Sequence, residues 1–273
     1  MSYKSILVNF ELDRPAAPLA RAAASLAQRF DARLIGFAAA AIPPPVALPE
    51  GMAYDGTLWQ VEQEEITKRC QELRAEFTGL LPGAVNAEWR QALGEPTRTL
   101  AGTARIADLI VTSAPEGARA PDAYRSTDIG SLVLQAGRPV LVVANGSEEI
   151  DLTDVLVAWK DTREARRAVV DALPALKLAE SVTVISVDRD PDDWLKQSVA
   201  DVAALLAGHG IKAKTVVQKA RDEVGALAEF IGSTRPNLVV SGAYGHSRLR
   251  EWAFGGVTRA LLDEGSVSRL MAS

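Results

Sequence analysis

The chain has 273 residues, more than most single domains hold, so two domains are expected. Its composition is that of an ordinary globular protein, 48% hydrophobic and 24% charged. A net charge of −5 argues against the basic footprint of non-specific nucleic-acid binding. One cysteine, Cys70, rules out an intramolecular disulfide, and no run approaches the roughly 18 apolar residues of a membrane span.

In chain order, short β-rich runs alternate with helical patterns. The first half is expected to place strands at 5–10, 33–40, 85–93, 108–114 and 139–144, with helices near 15–29, 57–79, 95–106 and 127–136. The second half repeats the order, with strands at 155–159, 181–188, 211–218, 237–243 and 267–272 and helices near 163–176, 192–208, 222–234 and 256–264. Continuous apolar strands alternating with helices predict parallel sheets covered on both faces, an α/β doubly wound fold. The matching order predicts an internal duplication, with one five-stranded domain over 1–146 and another over 152–273, joined by the polar "NGSEEIDLTD" (145–154). The start, "MSYKSILVNF", lacks the charged region, long apolar stretch and cleavage site of a signal peptide, so a cytoplasmic protein is expected.

Two features break the symmetry of the halves. A proline-rich loop, "IPPPVALPEGMAYDG" (42–56), stands in the first half, and the short "RDPDDW" takes its place in the second. The more prominent one is "SGAYGHSRLREWAFGGVT" (241–258), between a predicted strand and a predicted helix. In doubly wound folds, ligands bind beyond the carboxyl ends of the strands, where the strand order reverses. Gly242 and Gly245 let a ligand approach main-chain N–H groups. Gly255 and Gly256 sit where the next helix begins, and a helix N-terminus presents free N–H groups and partial positive charge. Thr258 adds a hydroxyl there, and Arg248 and Arg250 positive charge. These parts describe an anion cradle, most simply for a phosphate chain. The loop lacks the Gly-Lys-Ser/Thr of a P-loop and the G-x-G-x-x-G of a dinucleotide fold.

The spacing Gly242-x2-Gly245-x9-Gly255, followed by "GVT", resembles the nucleotide-binding motif of the universal stress protein family, G-x2-G-x9-G-(S/T). "VLVAWKDTREARRAVVDALPALKLAESVTVISVD" (155–188) looks like the first strand, helix and second strand of the same domain, and the pattern of both halves resembles the tandem bacterial members. The resemblance implies ATP or AMP, with or without Mg2+, in the second domain only. It implies a phosphate site at Gly242, Gly245, His246, Arg248, Gly255, Gly256, Val257 and Thr258. It implies a nucleoside site at Ala158, Trp159, Lys160, Asp161 and Val187, with Val187 lining the adenine pocket. Family members that bind ATP carry an acid where this chain has Lys160; Asp161 stands beside it, and Gly256 replaces the family's Ser/Thr.

In register with "SGAYG" the first half reads "TSAPE", which sets Ser113 against Gly242 and Glu116 against Gly245; Gly130 and Ser131 keep only the helix-start part. No nucleotide is expected there. Because that half lacks the leading glycines, the comparison also implies that the fold itself does not need Gly242. His246 reads as loop packing or an adenosine contact rather than a base, and His209 as a helix end. With two histidines and one cysteine no zinc cluster is expected, and without a G-x-S-x-G elbow no Ser/His/Asp triad is expected. Cys70 reads as a half-buried thiol, "DRDPDDW" (188–194) as a solvated loop with a helix-capping aspartate, and Trp159 as core or as a base-stacking surface. Three functions stay open: nucleotide binding as a stress-response signal, slow ATP hydrolysis, and a ligand-free interaction module. For the last, the final strands "PVLVVA" and "VSRLMA" would pair edge to edge, in a homodimer or an intramolecular pseudo-dimer.

Overall fold

The structure, a computed structural model, describes residues 2–44, 56–83, 85–115, 122–243 and 265–273. In the first half, β1 (Ser5–Phe10), β2 (Arg33–Ala40), β3 (Ala87–Leu93), β4 (Leu109–Ser113) and β5 (Val140–Val143) alternate with α1 (Ala17–Phe30), α2 (Gly56–Leu80), α3 (Pro96–Thr103) and α4 (Ile129–Gln135). In the second, β6 (Asp154–Ala158), β7 (Ser181–Asp188), β8 (Ala213–Lys219), β9 (Leu238–Gly242) and β10 (Ser268–Ala272) alternate with α5 (Arg163–Leu176), α6 (Asp193–Gly208) and α7 (Glu223–Thr234). The helix expected near 256–264, and most of the proline-rich loop, lie outside the described residues.

The strands form a single sheet in the order β3-β2-β1-β4-β5-β10-β9-β6-β7-β8. Each half has the same internal order and is parallel throughout. The halves meet where β5 and β10 pair antiparallel, Val142 opposite Arg269 and Leu141 opposite Leu270. An antiparallel seam between two equivalent edges is what a two-fold relation requires, and it leaves neither last strand as an open edge.

The register equates positions between halves. Ile6 pairs with Leu34 and Leu109, as Val155 pairs with Val182 and Leu238. Counting on from these, Asn9 corresponds to Ala158, Phe10 to Trp159, Glu11 to Lys160, Thr112 to Ser241 and Ser113 to Gly242.

Burial on both faces explains the continuous apolar strands: Ile6 to Val8 and Leu109 to Val111 are wholly buried. On one face, α1, α2, α5 and α6 cover a core that runs through both halves, from Phe30 and Leu73 to Leu173 and Leu206. Tyr3, at the start of the first half, donates its hydroxyl to the Asp171 carbonyl of α5 at 2.6 Å. On the other face the core is divided, one cluster under α3 and α4 and a smaller one under α7.

Gly36 in β2 has a steric cause, since a Cβ there would lie 2.6 Å from the Trp89 ring. That ring, from β3, stacks on Phe10 at 5.8 Å and meets Phe77 of α2 at 5.7 Å. Cys70 also lies on α2, only 2% exposed, which is deeper than its sequence context implies.

Candidate functional site

The strand order of the second half reverses between β6 and β9. A crevice at such a point, beyond the carboxyl ends of the strands, is where a doubly wound fold places a ligand. Strand alternation decides which residues face it. Leu156, Ile185 and Val239 belong to the core cluster under α7, and Ala158 and Val187 pack against that cluster. Ser241, two residues beyond Val239, shares their face. Ala158, Val187 and Ser241 therefore come together on the α7 face at three adjacent strand ends.

Ser241 is 3% exposed, and its hydroxyl has no hydrogen-bond partner among the described residues. Leaving such a group unsatisfied costs about 1–3 kcal/mol, so a buried hydroxyl without a partner calls for an explanation. The first half shows the contrast. There Thr112 accepts from Asn9 Nδ2 at 3.2 Å, and Asn9 also donates to Thr127 Oγ1 at 3.1 Å. Glu11 accepts from the Thr127 main-chain N–H at 3.0 Å. Side chains thus span that crevice, whereas Ala158, in the place of Asn9, reaches nothing polar. The start of α4, where Gly130 and Ser131 keep part of the motif, is capped by the chain itself: Asp128 accepts from the Ser131 N–H at 2.6 Å.

The other expected nucleoside residues divide. Lys160 leaves the end of β6 and pairs with Glu223 at the first turn of α7, 3.0 Å apart. Trp159 is 7% exposed on the opposite face, in the core shared with α5 and α6, and its Nε1 donates to Ser198 Oγ at 3.2 Å. Asp161 turns to that side too and accepts from Arg166 Nε at 3.0 Å. Between core and base stacking, Trp159 takes the core, because alternation along β6 sends it away from Ala158 and Val187.

Gly242 ends β9 on the α5 side. A Cβ at this position would lie 2.4 Å from the Ala165 nitrogen and 2.7 Å from the Glu164 carbonyl carbon. The implication that the fold does not need this glycine is therefore corrected: in this half the start of α5 presses directly on the strand end. Gly245, His246, Arg248, Arg250, Gly255, Gly256, Val257 and Thr258, like Glu116 of the first half, lie outside the described residues.

The acids after β7 are engaged locally. Asp192 caps α6 through the Leu195 N–H, and Lys219, 2.6 Å from Asp190, holds that carboxyl below the usual carboxylate range. Among the described residues no group of three His, Cys, Asp or Glu is placed to hold a metal ion. Nor is any described helix long and apolar enough to cross a membrane.

Two residues of the candidate site are not singled out by the sequence motif. For Ser241 a signal exists, since it alternates with Val239 towards the α7 face. For Glu223 none does, because its contact with Lys160 crosses 63 positions of chain.

Comparison with known proteins agrees with this architecture. No family model matches the sequence, and no curated protein matches it. Solved structures do. The fold superposes on a universal stress protein from Archaeoglobus fulgidus with a TM-score of 0.73 at 12% identity, covering 98% of this chain and 96% of that one. A candidate universal stress protein from Pseudomonas aeruginosa gives 0.60 at 18% identity, over 99% and 93% of the two chains. A Pseudomonas aeruginosa protein of unknown function gives 0.59, also at 18% identity, over 99% and 92%. The class defined is thus a pair of doubly wound α/β units sharing one sheet. Its particular form is the universal stress protein fold in tandem.

Proposed function

We propose that this chain is a tandem universal stress protein with domains over 1–146 and 152–273, and that the second binds an adenine nucleotide, ATP or AMP, as a signal or structural ligand. One observation carries the reading: the Ser241 hydroxyl, buried and without a partner among the described residues, lies at the β6/β9 reversal beside Ala158 and Val187. The glycine spacing of 242–258 supports a phosphate cradle next to it. Ala158 and Val187 would flank the base, and Ser241 would exchange a hydrogen bond with the nucleoside. The acid at the nucleoside end is then Glu223, held there by Lys160, rather than Asp161, which Arg166 engages. Mg2+, where present, would be bound by the phosphates themselves. The first half binds no nucleotide, because Asn9, Thr112, Thr127 and Glu11 already satisfy one another across the equivalent crevice.

The test is direct. Freshly purified protein is denatured and the released nucleotide quantified, and the stripped protein is titrated with ATP and AMP by calorimetry. A Ser241→Ala variant should bind roughly 3–10-fold more weakly, the value of one hydrogen bond. Absence of released nucleotide, together with absence of heat for both ligands, would overturn the reading. Hydrolysis would require phosphate release under single-turnover conditions that Gly245→Glu abolishes.

A further inference from the structure

A second cavity of about 410 Å³ lies on the opposite face of the sheet, between α5 and α6. Its size falls in the range of small-molecule sites. It is not a consequence of the fold. In the first half the corresponding space is filled by α2, whose Ile66, Cys70, Leu73 and Phe77 are buried against α1 and the sheet. The shorter α6 leaves α5 uncovered, and the Trp159 ring, with Val169 and Val202, forms a wall of the space between them.

Three further lining residues are exposed apolar side chains: Trp194 at 73%, Leu205 at 45% and Val170 at 43%. Exposed apolar groups rimming an apolar hollow are a signature of ligand sites. Trp159 is oriented by its hydrogen bond to Ser198, whereas Trp194 stands at the start of α6, largely in solvent. The cavity therefore has one fixed indole in its wall and one exposed indole at its rim.

Its polar groups decide the charge of the occupant. Asp161 is neutralised by Arg166. Asp201 accepts from Gln197 Nε2 at 2.8 Å and, among the described residues, pairs with no cation. The three charged residues lining the cavity thus sum to one negative charge, carried by Asp201. Two indoles beside a carboxylate that pairs with no cation among the described residues favour a positive charge and disfavour an anion.

We infer that the α5–α6 groove binds a small organic cation, an amine or quaternary ammonium with an apolar or aromatic body. The body occupies the hollow over Trp159, Val169 and Val202, and the cationic head lies between the Trp194 ring and Asp201. The site is independent of the nucleotide proposal, since it lies across the sheet from Ala158, Val187 and Ser241.

Benzyltrimethylammonium serves as probe and phenylacetate as its anionic counterpart. With the full-length protein carrying 5-fluorotryptophan at its five tryptophans, 19F spectra resolve each indole, assigned by single Trp→Phe variants. The expected result is a saturable shift of the Trp159 and Trp194 signals with the cation and none with phenylacetate. Asp201→Asn should weaken binding by up to roughly fivefold, the range of a solvent-exposed charge contact. Val170→Trp, which fills the exposed rim without entering the core, should abolish it. The inference is overturned if no shift saturates below about 10 mM. It is overturned equally by equal affinity for both probes, or by unchanged affinity in the two variants. The same holds if sedimentation shows a dimer that Val170→Trp dissociates, because the groove is then filled by a second copy.

Discussion

At Gly242 the absence of a side chain lets α5 start 2.4 Å from where a Cβ would sit. The obstacle is main chain, which cannot rotate aside, so Gly242→Ala should lower stability by at least about 1–3 kcal/mol even in nucleotide-free protein. Urea unfolding measures this; an unchanged midpoint would leave only the ligand role. Cys70 makes an opposite case, in which the surroundings silence a reactive group. Burial pushes its thiol up, with Arg69 pulling the other way less strongly. The thiolate is the reactive form, so disulfide-exchange reagents should modify Cys70 only as fast as the protein unfolds. Rapid modification under native conditions would show that α2 opens locally.

At the scale of elements, α7 depends on its cap. Asp222 accepts from the Gly225 N–H at 2.9 Å, and Asp222→Ala should cost about 1 kcal/mol. Glu223, the next residue, holds Lys160 across the mouth of the candidate site, so the same variant should also weaken nucleotide binding. Calorimetry separates the two effects, since affinity unchanged in a destabilised variant would detach α7 from the site. Between the halves, the Thr153 hydroxyl, 2.6 Å from Asp151, holds that carboxyl below the usual range, against a smaller upward push from burial. A carboxyl depressed in the folded state stabilises it above its ordinary range and loses that contribution as pH falls through the depressed value. Asp151→Ala should therefore lower stability by a constant amount at neutral and alkaline pH and flatten the acid limb of the profile, where the two proteins converge. Identical acid limbs would show that this turn contributes nothing to folding.

For the whole molecule, the β5–β10 seam and the core shared by α1 and α5 make one body of two similar halves. Residues 1–146 expressed alone would expose the β5 edge with its apolar row. This fragment should self-associate, pairing β5 with its copy as it now pairs with β10, and sedimentation should report a dimer. A stable monomer would mean that the seam follows from packing of the helical faces rather than strand pairing.

Much of this was legible from local pattern. Apolar runs and helical periodicity located the described strands and helices to within three residues, and most to within two. The alignment of "SGAYG" with "TSAPE" matches the register in which Ser113 and Gly242 occupy equivalent strand ends. Side-chain facing at the site was less legible. Trp159 and Ala158 are neighbours in sequence yet point to opposite faces, and a motif carried over as a contiguous stretch merges them. What the sequence determined by itself was therefore the order and type of elements, the duplication and the glycine spacing, all set by interactions between near neighbours in the chain. Only the tertiary structure decided that Lys160 meets Glu223, that Gly242 is pressed by α5, and that α6 leaves a groove where α2 leaves none. Those outcomes depend on the distances between elements far apart in sequence, and packing, not local propensity, sets such distances.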